Sequence, residues 1–258
     1  MHTYEEYREI LSLWEQGRKK KRIAIITGIN RATVHECITR YQTVAGLEAF
    51  KLKHPDVPKN LQILIEANDQ DHQELFRAYG YLLGIYLGDG CIARLRKTFK
   101  LRIACDTQYP GLIESFSAAV HVVSPHNKVG KVKQPGNCIE VCCYSNFWPD
   151  LFPQHGIGRK HLRSITLEDW QQGVVNKYPH EFIKGLLQTD GCRTNNVVNG
   201  KNYPRYEFAN FSTDIRNLFS ESCNQLGIHW TRSSGGRNIQ IARRRDVEFL
   251  DQFIGPKS

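Results

Sequence analysis

The sequence predicts an α+β fold built as two repeated halves, with a small all-α unit in front of them. Three observations carry that prediction. The segment Leu82 to Cys91 recurs as Ile183 to Cys192, 101 residues further on, with glycine, a small residue, Asp, Gly and Cys at matching offsets. Each copy follows a helical pattern and precedes short β-like runs broken by turn residues, which reads as antiparallel hairpins. Residues 1–50 contain no proline and alternate apolar with charged residues at helical spacing.

The 258 residues leave room for one large or two modest domains. Texture divides them into an all-α unit over 1–50, a linker over 51–70 and the repeat over 71–258, with halves of about 71–165 and 166–258. Apolar residues at 40% and charged residues at 24% exclude wholesale disorder. Lys and Arg number 35 against 26 Asp and Glu, and the resulting +9 favours a polyanionic partner. The longest apolar-rich run, Ala78 to Gly88, ends at Asp89, short of the roughly 20 residues a bilayer crossing needs. Met1 to Glu6 carries no apolar leader. The expectation is a monomeric protein of the cytoplasm, nucleoid-associated in a bacterium, with no membrane partner. Its eight cysteines are expected as free thiols.

In the first unit, Tyr7, Ile10, Leu11 and Trp14 form one stripe of a helix from Tyr4 to Gln16, which Gly17 ends. A second helix runs from Lys19 to Ile26. Gly28 stands at a tight turn, and Asn30 is placed to cap a third helix reaching about Tyr41. Ala24, Gly28, Ile29 and Val34 fall where a helix-turn-helix needs a small residue, a turn glycine and two core apolar residues. On that reading the third helix enters the major groove of duplex DNA. Val34 and Ile38 face the core, and Arg31, Ala32 and His35 face outward as base readers. Asn30 and Thr33 are candidates for phosphate, with the Lys19–Arg22 run, Arg22 included, along the backbone. The alternative is a three-helix bundle serving protein contacts. The linker holds Pro55 and Pro58 and one short helix over Leu61–Glu66.

Each half then reads helix–strand–strand–helix–strand–strand–helix. In the first half, strand Lys100–Cys105, a helix from Pro110 to about Val122, strand Lys128–Lys133, a Gln134–Asn137 turn and strand Cys138–Tyr144 follow the repeated segment. In the second, a polar stretch around Gly200 precedes strand Arg205–Phe211. A helix from Asp214 to Leu226 follows, then Ile228–Arg232, a Gly235-Gly236 turn, Asn238–Ala242 and a last helix from Asp246.

The repeated segments carry the chemistry. Gly80, Gly84 and Gly88 lie four apart on one helix face, and Gly185 and Thr189 stand at the places of Gly84 and Gly88. Small residues at this spacing let two helix backbones approach closely. The two helices are expected to pair about a pseudo-twofold axis, bringing Asp89 and Asp190 together at their C-terminal ends. A helix C-terminus disfavours carboxylates, and two carboxylates repel each other. A divalent cation, Mg²⁺ or another hard ion with oxygen ligands, is the economical compensation, and such a site suits phosphodiester hydrolysis. The plain alternative is that Asp-Gly merely stops a helix.

Leu82–Gly90 and Ile183–Gly191 resemble the paired motifs of the LAGLIDADG homing endonuclease family. Gly156–Lys160, followed after a spacer by Phe182–Leu186, resembles the family's join between halves, Leu226–Ile228 after a helix is similar to the family as well, and the likeness spans about residues 75–254. It implies two αββαββα halves forming a DNA-binding saddle, and Mg²⁺-dependent cleavage of both DNA strands by Asp89 and Asp190. It also implies that the carbonyls of Gly88 and Thr189 bind metal. The family's first acidic position is absent from both copies, being Leu87 and Gln188. Its basic residues near the acids are sought in Lys131, Lys133 and Arg243. A bacterial class of regulators joins a helix-turn-helix to such a domain without its acids and in the opposite order. A transcription regulator that binds without cutting is therefore the alternative, and an RNA-splicing cofactor is a third class.

Smaller signals have plainer readings. Cys138, Cys142 and Cys143 lack a second ligand pair for zinc, and Cys91 and Cys192 are expected in the core. Phe147–Pro153 is expected to pack at the end of the first half. His155 and His161 flank Arg159-Lys160, which suggests a phosphate contact.

Overall fold

Residues 4–47, 59–66, 70, 72–233, 235–255 and 257 are described in this computed structural model. They fall into two units, Met1–Asp56 and Val57–Ser258.

The first unit holds α1 (Tyr4–Glu15), α2 (Lys20–Thr27) and α3 (Arg31–Tyr41). Their shared core is Ile10, Leu11, Ile23, Ile29, Val34, Cys37, Ile38 and Leu47. The turn between α2 and α3 follows from local chemistry. Gly28 takes φ +69°, which costs a glycine little. The Asn30 side chain then caps α3 by accepting from the Thr33 N–H at 2.9 Å. Trp14, read as part of the α1 stripe, stands at its rim 37% exposed, with the Lys20 ammonium 5.7 Å from its ring centre.

The second unit opens with α4 (Lys59–Ile65), whose Leu61 and Leu64 enter the main core. The Asn60 amide donates to the carbonyls of Val122 and Val123 at 3.1 and 3.0 Å. Part of the stretch read as linker is thus docked on the core. Two leucines three apart on a short helix are enough to anchor it. The remainder of 48–58 and residues 67–69 and 71 lie outside the described residues.

The first half continues with α5 (Gln73–Gly88), β1 (Gly90–Arg94), β2 (Phe99–Asp106), α6 (Pro110–Val123), β3 (Val129–Gln134), β4 (Cys138–Ser145) and a single helical turn, α7 (Trp148–Leu151). The second follows as α8 (Asp169–Lys177), α9 (Pro179–Asp190), β5 (Gly191–Val198), β6 (Lys201–Ala209), α10 (Thr213–Gln225), β7 (Thr231–Arg232), β8 (Asn238–Ile241) and α11 (Arg244–Asp251). The sheets have matching antiparallel orders, β1-β2-β4-β3 and β5-β6-β8-β7. One hydrophobic core runs through both halves. Trp148, Leu151 and Phe152 are fully buried, so the aromatic segment closes the first half by packing. Among the described residues no helix is long and apolar enough to cross a membrane.

Three boundaries differ from the sequence reading. The polar stretch around Gly200 is a hairpin turn, with Asn199 at φ +51° and Gly200 at +75°, so β6 begins at Lys201 and ends before Phe211. Strand β7 is only two residues long. The Ile228 N–H bonds the Cys223 carbonyl at 2.9 Å and the His229 N–H bonds Asp246 at 3.0 Å, so that backbone is already committed. Helix α11 starts two residues earlier than expected, at Arg244.

Candidate functional site

The site begins with the seam between α5 and α9. A β-carbon on Gly84 would run into the Phe182 carbonyl and lie 3.0 Å from the Leu186 nitrogen. One on Gly185 would run into the Tyr81 carbonyl and lie 2.8 Å from the Ile85 nitrogen. The helices therefore touch backbone to backbone at this pair. Gly88 faces the Thr189 hydroxyl, which donates within its own helix. Gly80 differs from the expectation. Its nearest neighbour for an added carbon is Val174 of α8 at 3.7 Å, an ordinary contact, so the tight seam does not extend to it.

This crossing delivers the two acids to neighbouring positions. Asp89 caps α5, its N–H bonded to the Ile85 carbonyl at 3.1 Å, and Asp190 ends α9. The Asn210 amide donates to Asp190 Oδ2 at 2.6 Å. Beside them a cleft of about 400 Å³ is lined by Gly88, Cys91, Arg159, Lys160, Asp190 and Phe211, among others.

Two lysines complete the arrangement. Lys160 Nζ donates to the carbonyls of Tyr86, Gly88 and Gly90 at 2.5, 3.0 and 2.6 Å. Lys257 Nζ donates to those of Thr189 and Gly191 at 3.3 and 2.6 Å. Each ammonium thus grips the carbonyls on either side of one acid. Burial pushes the Asp89 carboxyl above its ordinary value, against the pull of Lys160 and then Lys257. Burial, then the Asp89 charge, push Asp190 up to about 6, with Asn210 and the two lysines opposing. Burial also lowers Lys160 to about 8, with Asp190 and Asp89 holding it up. Lys257 is lowered by burial.

The compensation sought in a divalent cation is thus supplied in part by the chain itself. The donor set nevertheless fits a hard cation. Three carbonyl oxygens converge on one positive charge at Lys160, and two carboxylates stand beside it. Asp89 and Asp190, with the carbonyls of Gly88 and Thr189, are the residues that would hold Mg²⁺. Among the described residues no three His, Cys, Asp or Glu side chains group as a metal site.

Strand alternation decides which residues share the outer sheet faces. In the first sheet Cys91, Arg102, Cys142 and Gly130 are in register, with Lys100 paired to Tyr144 on the same face. In the second, Cys192, Glu207, Gln240 and Thr231 align, followed by Thr194–Arg205 and Asn196–Tyr203. Cys91 and Cys192 are exposed there, not in the core, because they occupy outward positions of β1 and β5. Lys131 and Lys133 fall on the opposite face. Lys131 is bonded to Glu114 of α6 at 2.5 Å. Arg243 is exposed at the start of α11. None of these three acts on either acid's charge.

In the first unit Arg22, Arg31 and His35 are exposed, while Asn30 is engaged in its cap with Thr33. His35 Nδ1 lies 2.8 Å from Lys20 Nζ and 3.2 Å from the Thr39 hydroxyl. Ala32, His35, Glu36 and Thr39 line a shallow groove, and Glu36 is an acid on that outward face.

Sequence reasoning missed the roles of Lys160, Lys257 and Asn210. A signal for the lysines was present. Ile157-Gly158-Arg159-Lys160 and Ile254-Gly255-Pro256-Lys257 are one pattern, Ile-Gly-x-Lys, closing each half. Their spacing of 97 residues departs from the 101 of the acids, which hid the match.

The sequence matches no family profile and no curated protein. Several solved structures resemble the fold. Mesophilic variants of the homing endonuclease I-DmoI share 16% identity at a TM-score of 0.46, over 70% of this chain and 97% of that one. Full-length DUF199/WhiA from Thermatoga maritima shares 12% at 0.47, over 70% of this chain and 55% of that one. A mutant of I-SmaMI shares 12% at 0.45, over 68% and 84%.

Proposed function

We propose that the protein is a site-specific endonuclease of double-stranded DNA that hydrolyses phosphodiester bonds at Asp89 and Asp190. One observation carries the reading. Two acids from equivalent positions meet at the ends of α5 and α9, each flanked by a lysine, where the outer faces of two polar sheets begin. A bound divalent cation would supply Lewis-acid stabilisation of the leaving oxygen and a more acidic water. The chain's own residues do the rest. Asp89 and Asp190 would hold the cation and orient the attacking water. Asn210 fixes one Asp190 oxygen, and Lys160 and Lys257 limit repulsion between the acids.

DNA would lie on the outer sheet faces, with Lys100, Arg102, Tyr144, Arg205 and Tyr203 offered to phosphates and bases. In the first unit we assign a helix-turn-helix role, with α3 in the major groove, Arg31 and His35 toward bases and Arg22 toward phosphate. Thr33 and Arg243 are further phosphate candidates. The LAGLIDADG resemblance of the two motifs agrees with this reading, and a monomer suffices because both halves lie in one chain. The second reading, a regulator that binds DNA without cutting, has one observation in its favour. Two lysines already balance two acids.

The deciding experiment selects bound duplexes from a random library and incubates the selected site with Mg²⁺. Asp89→Asn or Asp190→Asn should lower cleavage of both strands by roughly 10³-fold or more while binding changes only a few-fold, since the acids act as a unit. Wild-type cutting by either variant removes the nuclease reading. Tight binding without cutting in Mg²⁺ or Mn²⁺ establishes the regulator.

A further inference from the structure

We propose that Lys160 and Lys257 are built-in competitors for the oxygens that would hold a divalent cation, keeping metal off them in the DNA-free protein and releasing them to it when DNA phosphate draws the ammonium groups away. The inference rests on the cation-binding acids and DNA-binding face of the endonuclease reading, not on its cutting step.

The geometry is specific. All three ammonium hydrogens of Lys160 are committed to backbone carbonyls, those of Tyr86, Gly88 and Gly90, and none to a carboxylate. Lys257 repeats this at Thr189 and Gly191, the places equivalent to Gly88 and Gly90. A lysine serving only as a counter-charge would bond the acid itself. These lysines instead take the carbonyl oxygens that a hard cation needs. A divalent ion binds such oxygens at about 2.0–2.6 Å, so ammonium and metal on one carbonyl would stand in close, like-charged contact. The two occupants therefore exclude each other.

The lysines are also placed to leave. Lys160 begins a single 3₁₀ turn, Lys160–Leu162, between exposed Arg159 and His161. Lys257 lies beyond the last described helix, two residues after Gly255 at φ +70°. A phosphate in the adjoining cleft offers each ammonium an anionic oxygen, a stronger partner than a neutral carbonyl. By linkage, whatever DNA does to the lysines must appear as a change in metal affinity.

The test is Mn²⁺ binding, read by electron paramagnetic resonance without any cleavage measurement. In the DNA-free protein, Lys160→Met and Lys257→Met should each tighten Mn²⁺ binding about tenfold or more, as removal of a competing charge requires. Arg159→Met removes an equal charge from the same cleft without touching the carbonyls, and should change affinity less than about threefold. Adding Asp89→Asn to Lys160→Met should abolish the gain. A duplex carrying the selected site should tighten Mn²⁺ binding to wild type and do so far less in the lysine variants. Circular dichroism checks that each variant is folded. Lys257→Met decides the matter if Lys160→Met is not folded. Unchanged or weaker Mn²⁺ binding in the folded lysine variants, or an equal gain in Arg159→Met, overturns the proposal. Because the readout is metal occupancy, a protein that never cuts DNA but shows these gains loses the nuclease reading and keeps this one.

Discussion

Glu140 shows how a single residue shapes the outer face of the first sheet. It is only 4% exposed, yet its two oxygens meet Lys100 at 2.5 Å and Arg102 at 2.6 Å. Burial alone would raise its carboxyl, and the hydrogen bonds from Lys100 and Arg102 more than reverse that, so its pKa is lowered. A lowered acid contributes stability that is complete above the unfolded carboxylate range and lost as pH falls through the folded value. Glu140→Gln should therefore destabilise the protein by about 1–3 kcal/mol at pH 7. The gap between variant and wild type should shrink below about pH 4. Urea unfolding at the two pH values measures both. Asp190 has the opposite sign. With its folded value near 6 against an ordinary 3.8, its cost is absent in acid and grows as pH rises between the two. Asp190→Asn should gain about 1 kcal/mol relative to wild type on going from pH 4 to pH 7, a figure reduced for the solvent that reaches a half-buried carboxylate. At this scale the acids were legible because they sit inside a repeated motif. Lys160 and Lys257 were not, because each reaches its carbonyls from more than 60 residues along the chain.

Among the elements, α5 and α9 are held by what their glycines lack. Gly84→Ala or Gly185→Ala forces a methyl group into a backbone carbonyl that cannot move without shifting a helix. Each should cost about 3 kcal/mol or more, at the upper end of overpacking. Gly80→Ala, with its nearest contact at 3.7 Å, should be neutral or stabilise by up to about 1 kcal/mol through helix propensity. Denaturant midpoints of the three variants separate a seam from a mere run of small residues. Most helices and hairpins could be read from periodicity and turn glycines. The exceptions have physical causes. Strand β5 and the start of β6 are polar and exposed on both faces, as Asn195, Asn196, Asn202 and Tyr203 attest, so no alternation marks them. Helix α4 was legible as a short helix over Leu61–Glu66, but the prolines before it marked the stretch as linker, so its docking through Leu61 and Leu64 was not.

For the whole molecule, two separate hydrophobic cores mean that each unit carries its own stability. A chain lacking residues 1–56 should fold, retain metal-dependent cutting at high concentration, and bind its DNA at least about tenfold more weakly, because a tethered second module raises effective concentration. Footprints of the full and shortened chains on one duplex should differ at one end only. An unchanged footprint would assign the first unit to a protein partner. With a formal charge of +9, binding should also fall steeply with salt, and a flat log–log titration would remove nucleic acid from the reading. The joint between α5 and α9 has one more consequence, for the repeat. The backbone contact at 84 and 185 reads no side chain, while the positions around it are filled differently in the two helices, with Gln188 accepting from Tyr81 and Lys184 over the Tyr81 ring. Lys184 stands at the place of Leu83, Leu187 at that of Tyr86 and Gln188 at that of Leu87. A β-carbon at 84 or 185 is excluded by the facing backbone, and one at 88 by the Thr189 side chain. A repeat joined mainly through backbone lets its two halves carry unlike surfaces, because that part of the joint keeps no memory of which half is which.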